Sequence, residues 1–94
     1  MSSIKRSAKD LIKKHQQLTQ SDFVKVRSHV QRSDGDWVLN TLMIEGHDVP
    51  FRYKRKTEYQ SLKGARVNLS YYPSTESVAG FDMEVMNVVR IKRS

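Results

Sequence analysis

The sequence predicts a mainly β chain with one N-terminal α-helix, folded as a small five-stranded antiparallel barrel or a strongly curved sheet. Three observations carry this. From residue 23 onward, apolar and polar residues alternate with a period of two in short runs. Clusters of Gly, Pro, Asp and Ser separate those runs, as turns do in small all-β domains. No later stretch has the length and 3.6-residue period of a crossover helix. An OB-like and an SH3-like barrel fit this plan about equally, and an open curved sheet covered by the helix is the third option.

The elements follow in order. Ile4, Ala8, Leu11, Ile12 and Leu18 fall near one helical stripe, and Lys5, Lys9 and Lys13 recur on another face. They predict a basic amphipathic helix within residues 1–20, with Ser2 or Ser3 as its cap and Thr19-Gln20-Ser21-Asp22 as its exit. A helix of this length is marginal alone in water, so it must pack on something. Residues 23–94 then form a single domain. Its first strand covers residues 23–32, with Val24, Val26, Ser28 and Val30 facing one way and Lys25, Arg27, His29 and Gln31 the other. Ser33-Asp34-Gly35-Asp36 is a hairpin turn, because Asp-Gly supplies the positive φ that a tight turn needs. Residues 37–45 return, Gly46-His47-Asp48 turns again, and residues 49–56 form a third strand that Pro50 places at an edge or bulge.

Residues 57–63 leave room for one helical turn at most. A fourth strand covers residues 65–72 and a polar loop residues 73–80. The fifth strand covers residues 81–92, with Met83, Val85, one of Val88 and Val89, and Ile91 as its apolar set. The doublet Val88-Val89 after Asn87 breaks the alternation and predicts a β-bulge.

The run Leu62-Lys63-Gly64-Ala65-Arg66-Val67-Asn68-Leu69-Ser70-Tyr71-Tyr72-Pro73 resembles the L-x-G-x-x-V-x-L/V-x-Y-x-P stretch of small β-barrels, and the C-terminal barrel of Mu-like transposases carries a similar run. The resemblance is confined to residues 62–73. It implies a barrel in which proline ends the fourth strand, and more distantly a nucleic-acid partner.

With 94 residues there is room for one domain and a modest core. The absence of cysteine removes disulfides, thiolate zinc sites and cysteine nucleophiles together. Residues 4–20 lack the apolar core of a secretory signal, and no apolar run is long enough to span a bilayer, so the expected location is the cytoplasm, without a membrane partner.

Lys and Arg outnumber Asp and Glu by 17 to 10, a net charge of +7. The excess is uneven: residues 1–20 carry +4, residues 21–51 carry −2 and residues 52–94 carry +5. Phosphate neutralisation calls for clustered cations, and exposed aromatics can stack on bases. The expected nucleic-acid contacts are therefore Arg52, Lys54, Arg55 and Lys56 on the third strand, Arg66 and Tyr72 on the fourth, and Arg90, Lys92 and Arg93 on the fifth. Tyr59 or Tyr53 would assist the stacking. Tyr71 and Tyr72 must put one ring on each face of their strand, and the outward one is the best stacking candidate. The single Trp37 is expected to anchor the core or its rim.

These features predict a domain that binds nucleic acid with low sequence specificity. The second reading is a protein–protein module or homodimer without nucleic acid. His15, His29 and His47 show no metal spacing, and the aspartates at the two turns suit turn chemistry better than calcium. There is no nucleophile elbow and no Gly-rich phosphate cradle, so neither an enzyme, a cofactor nor a small-molecule substrate is expected.

Overall fold

The computed structural model describes residues 18–94. The expected helix thus falls almost wholly on residues outside this range. Its last positions, Thr19 and Gln20, are strand. Five strands follow one another: β1 (Thr19–Asp34), β2 (Trp37–Ile44), β3 (Phe51–Arg55), β4 (Arg66–Val78) and β5 (Phe81–Arg93). They form one mixed sheet whose hydrogen bonding closes into a ring, in the order β1-β2-β3-β5-β4 and back to β1.

The expected all-antiparallel arrangement is corrected at one seam. β3 and β5 run parallel, with Phe51 opposite Met86 and Arg52 opposite Asn87. The reason is parity: a closed ring with an odd number of strands cannot alternate direction at every seam.

β1 is 16 residues long because it serves two partners, β4 along its first part and β2 along its second. It bends between them through two register shifts, one between Ser21 and Val24 and one between Val26 and Ser28. The second shift reverses the facing pattern read from the sequence. Val26 is buried as expected, but beyond Arg27 the side chains of His29 and Gln31 bond to interior or loop groups while Val30 is 52% exposed. At Phe23 the first shift puts the backbone at a φ of 58°, where the amide donates to Asn68 Oδ1 at 2.8 Å.

Val26, Leu42, Ile44, Phe51, Leu62, Val67, Leu69 and Tyr71 fill the inside of the ring, with Phe51 and Tyr71 meeting edge to face at 4.8 Å. Asn40 is the buried polar side chain among them. Its Oδ1 lies 2.8 Å from His29 Nε2, and its Nδ2 donates to the Val38 carbonyl. The Leu62 amide donates to His29 Nδ1 at 2.9 Å, so Nε2 carries the proton and donates to Asn40. The β3–β4 connection contains no helix. It is held by its own backbone: Gln31 brackets Tyr59 by donating to its carbonyl and accepting from its amide, and Val26 exchanges bonds with Gly64 and Ala65. Leu62 is thereby set into the core.

The polar loop expected over residues 73–80 is corrected to strand. β4 continues to Val78, a two-residue turn of Ala79 and Gly80 follows, and β5 returns from Phe81. Pro73 does not end the strand. β4 pairs with β1 only as far as Tyr71, so beyond it one edge is open and a missing N–H is tolerated there. Residues 73–84 thus form a two-stranded arm past the ring. The expected bulge in β5 is present: Ser70 faces Arg90 and Tyr71 faces Val88, which leaves Val89 as the extra residue. Met86, Val88 and Ile91 of β5 pack against the central core cluster and Val85 is buried as expected, whereas Met83 is exposed.

Candidate nucleic-acid interface

The parallel seam decides where the basic residues lie. β3 and β5 bond at only two residue pairs and then separate, opening a cleft of about 320 Å³ between them. Tyr53, Lys54 and Arg55 line one side, and Val88, Val89, Arg90 and Ile91 the other. Beyond it, a second concavity is bounded by Arg55, Tyr59, Gln60, Leu62, Ile91 and Arg93. On the outer face of β4 and β5 a third is lined by Gln20, Asn68, Ser70, Arg90 and Lys92. Arg90 lines both the first and the third, so Lys54, Arg55, Arg90, Lys92 and Arg93 border one continuous surface.

The cations on this surface are exposed, and most of its floor is apolar or aromatic. Arg55 is held over it by aromatic rings: its guanidinium carbon stands 4.7 Å from the centre of the Tyr59 ring and 5.6 Å from that of Tyr53. The two tyrosine hydroxyls are hydrogen-bonded to each other. Burial, followed by the Tyr59 hydroxyl, raises the Tyr53 phenol well above its ordinary pKa. Tyr53 is thus a neutral support beneath Arg55.

The other expected residues are distributed differently. Arg66 lies over the Phe23 ring at 4.8 Å and donates to the Phe23 carbonyl at 3.1 Å, so it braces the β1 irregularity from the outer face of β4. Tyr71 points into the core, and Tyr72 is the outward ring of the pair, half-buried and opposite Asn87. Lys56 sits 4.6 Å over the Trp37 ring near the first hairpin. Trp37 is 41% exposed, so it is a rim residue and not a core one. Arg52 turns away from the cleft and pairs with Glu76 on the arm, although it shares strand parity with Lys54.

Sequence reasoning missed Gln20, Asn68 and Ser70 on this surface, and it read Val88 and Val89 as core and bulge residues without placing them at the cleft. A bulge re-aims the side chains on either side of it, and this one leaves Arg90 outward while Ile91 turns in. Among the described residues, no three His, Cys, Asp or Glu side chains converge as metal ligands, and no helix is long and apolar enough to cross a membrane. No family model matches the chain, and no curated protein or solved structure matches it at a significant level.

Proposed function

We propose that this chain is an OB-like barrel domain of the cytoplasm that binds nucleic acid with low sequence specificity. The strand order supports the OB-like reading over the SH3-like one: β1 is shared between β2 and β4, and β3 meets β5 in parallel. One observation carries the functional reading. The third-strand and fifth-strand cations, separated by some 35 residues of sequence, border the same cleft. Lys54, Arg55, Arg90, Lys92 and Arg93 would neutralise phosphates, with Arg66 at the edge. Tyr59 and Tyr72 would offer rings to bases. Arg52 and Lys56 belong to the reading only as more distant charges.

Contacts of this kind release counterions, so affinity falls steeply with salt. Fluorescence polarisation with labelled single-stranded and duplex oligonucleotides at two salt concentrations tests the proposal. Binding at low salt that weakens at high salt is expected, and no binding at low salt would sink it.

The second reading, a homo-oligomer without nucleic acid, is favoured by the arm, whose two outer edges pair with no third strand among the described residues. Light scattering over a wide dilution range distinguishes it: a mass that does not change with concentration counts against it.

A further inference from the structure

Lys54 belongs to two surfaces. Directly opposite residues of an antiparallel pair share a face. Leu39 is opposite Lys54 and Thr41 is opposite Arg52, while Val38 and Asn40 of β2 are buried on the other face. Lys54 therefore stands on the outer wall of β2 and β3 as well as at the side of the cleft. Trp37 lies two residues before Leu39, so it is on the same wall. Its side chain is exposed, and the Lys56 ammonium stands 4.6 Å from its ring centre. Lys54 and Lys56 are themselves exposed. The rings inside the cleft are engaged differently. Tyr53 and Tyr59 are bonded to each other through their hydroxyls, and Arg55 stands over both.

We propose that Trp37 is a stacking platform for an unpaired nucleobase, and that single-stranded nucleic acid is accordingly the ligand class of this domain. The inference rests on the nucleic-acid reading of the cleft and extends that site across β3. Continuity supports it: Arg90 and Lys54 border the cleft, and Lys54, Lys56 and Trp37 follow along the outer wall, so a strand that leaves the cleft over β3 meets the indole. Charge sets the direction. Asp34 is opposite Trp37 on the β1 side, whereas Lys54 and Lys56 lie on the β3 side, so phosphates follow β3 and bases turn toward β2. The Lys56 contact is replaceable. A cation–π contact at an exposed site is weak, so a base takes the ring while the ammonium moves to the adjacent phosphate. Stacking uses the flat face of a base, which every base has. In a duplex that face is already stacked on its neighbours, so a paired strand meets this surface through phosphates alone.

The chain has a single tryptophan, so all its indole fluorescence reports on this position. Full-length chain is titrated at low salt with oligothymidine, oligouridine, a duplex of equal length and an abasic oligomer, with polarisation recorded in parallel. An unpaired strand is expected to quench the indole emission by more than half, at the midpoint that polarisation gives. The stronger of the two strands identifies the sugar the site prefers. The duplex and the abasic oligomer should bind without quenching. Trp37→Ala should weaken single-strand affinity about 5- to 100-fold, as loss of one base–aromatic stack does. It should leave duplex affinity and the salt slope unchanged, and Trp37→Phe should retain most of the affinity. Binding of both unpaired strands without quenching overturns the proposal and leaves the reading of the cleft standing. Equal quenching by the duplex or the abasic oligomer also overturns it. No binding by any of the four at low salt removes both.

Discussion

Arg55 rests over the ring of Tyr59, its guanidinium carbon 4.7 Å from the ring centre, and Tyr59 is itself fixed by Gln31 from β1. A cation on the β3 edge is thereby positioned by a loop residue that the far end of β1 holds in place. The contact ties the proposed interface to the ring's own hydrogen bonding, and it divides the basic residues into two groups.

The first prediction concerns that division. Lys54→Glu and Arg90→Glu should each weaken oligonucleotide binding, and each should lower the slope of log affinity against log salt by about 0.7–0.9 per lost phosphate contact. Arg52→Gln should leave affinity and slope unchanged, because Arg52 faces Glu76. It should instead lower stability by up to about 1 kcal/mol, as for a partly exposed ion pair. Polarisation titrations across a salt series, together with thermal melts, check both halves.

The second prediction concerns Asn40 and His29, paired at 2.8 Å across β1 and β2. Asn40→Leu removes the acceptor of the His29 Nε2 proton inside the ring and should cost about 1–3 kcal/mol. His29→Leu should cost a similar amount, since the Leu62 amide loses its acceptor. The double variant should cost clearly less than the sum, because each single change already breaks the shared bond. Urea unfolding midpoints measure all three.

The third prediction concerns alkaline pH. Burial and the Tyr59 hydroxyl hold the Tyr53 proton more tightly in the folded chain than in the unfolded one. Its contribution to stability is therefore intact below the ordinary phenol pKa of about 10 and is lost progressively as pH rises above it. A near-ultraviolet phenolate titration should show Tyr53 remaining protonated until the chain unfolds. Tyr53→Phe should remove that late step.

The fourth prediction concerns the arm. Ala79 sits at a φ of 51° in the two-residue turn between Val78 and Phe81, with Gly80 at 84°. A side chain in the left-handed region is strained, and glycine is not. Ala79→Gly should stabilise the chain by about 0.5–1 kcal/mol, measured by denaturant unfolding. At the first hairpin Gly35 already occupies the corresponding strained position at 62°, so Gly35→Ala should be destabilising.

The parts of this structure that were legible in the sequence are those set by local chemistry. Asp34-Gly35-Asp36 marks its turn because only a residue tolerant of positive φ fits there. The Val88-Val89 doublet marks its bulge because two apolar neighbours cannot both face inward. The cations of the third and fifth strands meet because β3 and β5 are neighbours in the ring, and the cleft lined by Lys54, Arg55 and Arg90 brings those three together. What could not be read depends on partners distant in sequence. The shift at Arg27, which turns Val30 outward and His29 inward, has no glycine or proline to announce it; it arises because β1 must leave β4 to join β2. The parallel seam follows from ring closure. The arm looked like a loop because Ser74, Thr75, Glu76 and Ser77 are polar and Pro73 reads as a strand end, yet pairing with β5 alone satisfies that backbone. Arg52 was grouped with Lys54 by parity, and only the arm's position reassigns it to Glu76.

The measurement that tests the central claim most directly is an amide chemical-shift map of the isotope-labelled chain titrated with a short single-stranded oligonucleotide at low salt. The account predicts shifts concentrated at Lys54, Arg55, Tyr59, Arg90, Lys92 and Arg93, reversed by added salt. No shifts, or shifts centred on Val30, Arg32 and the arm, would contradict it.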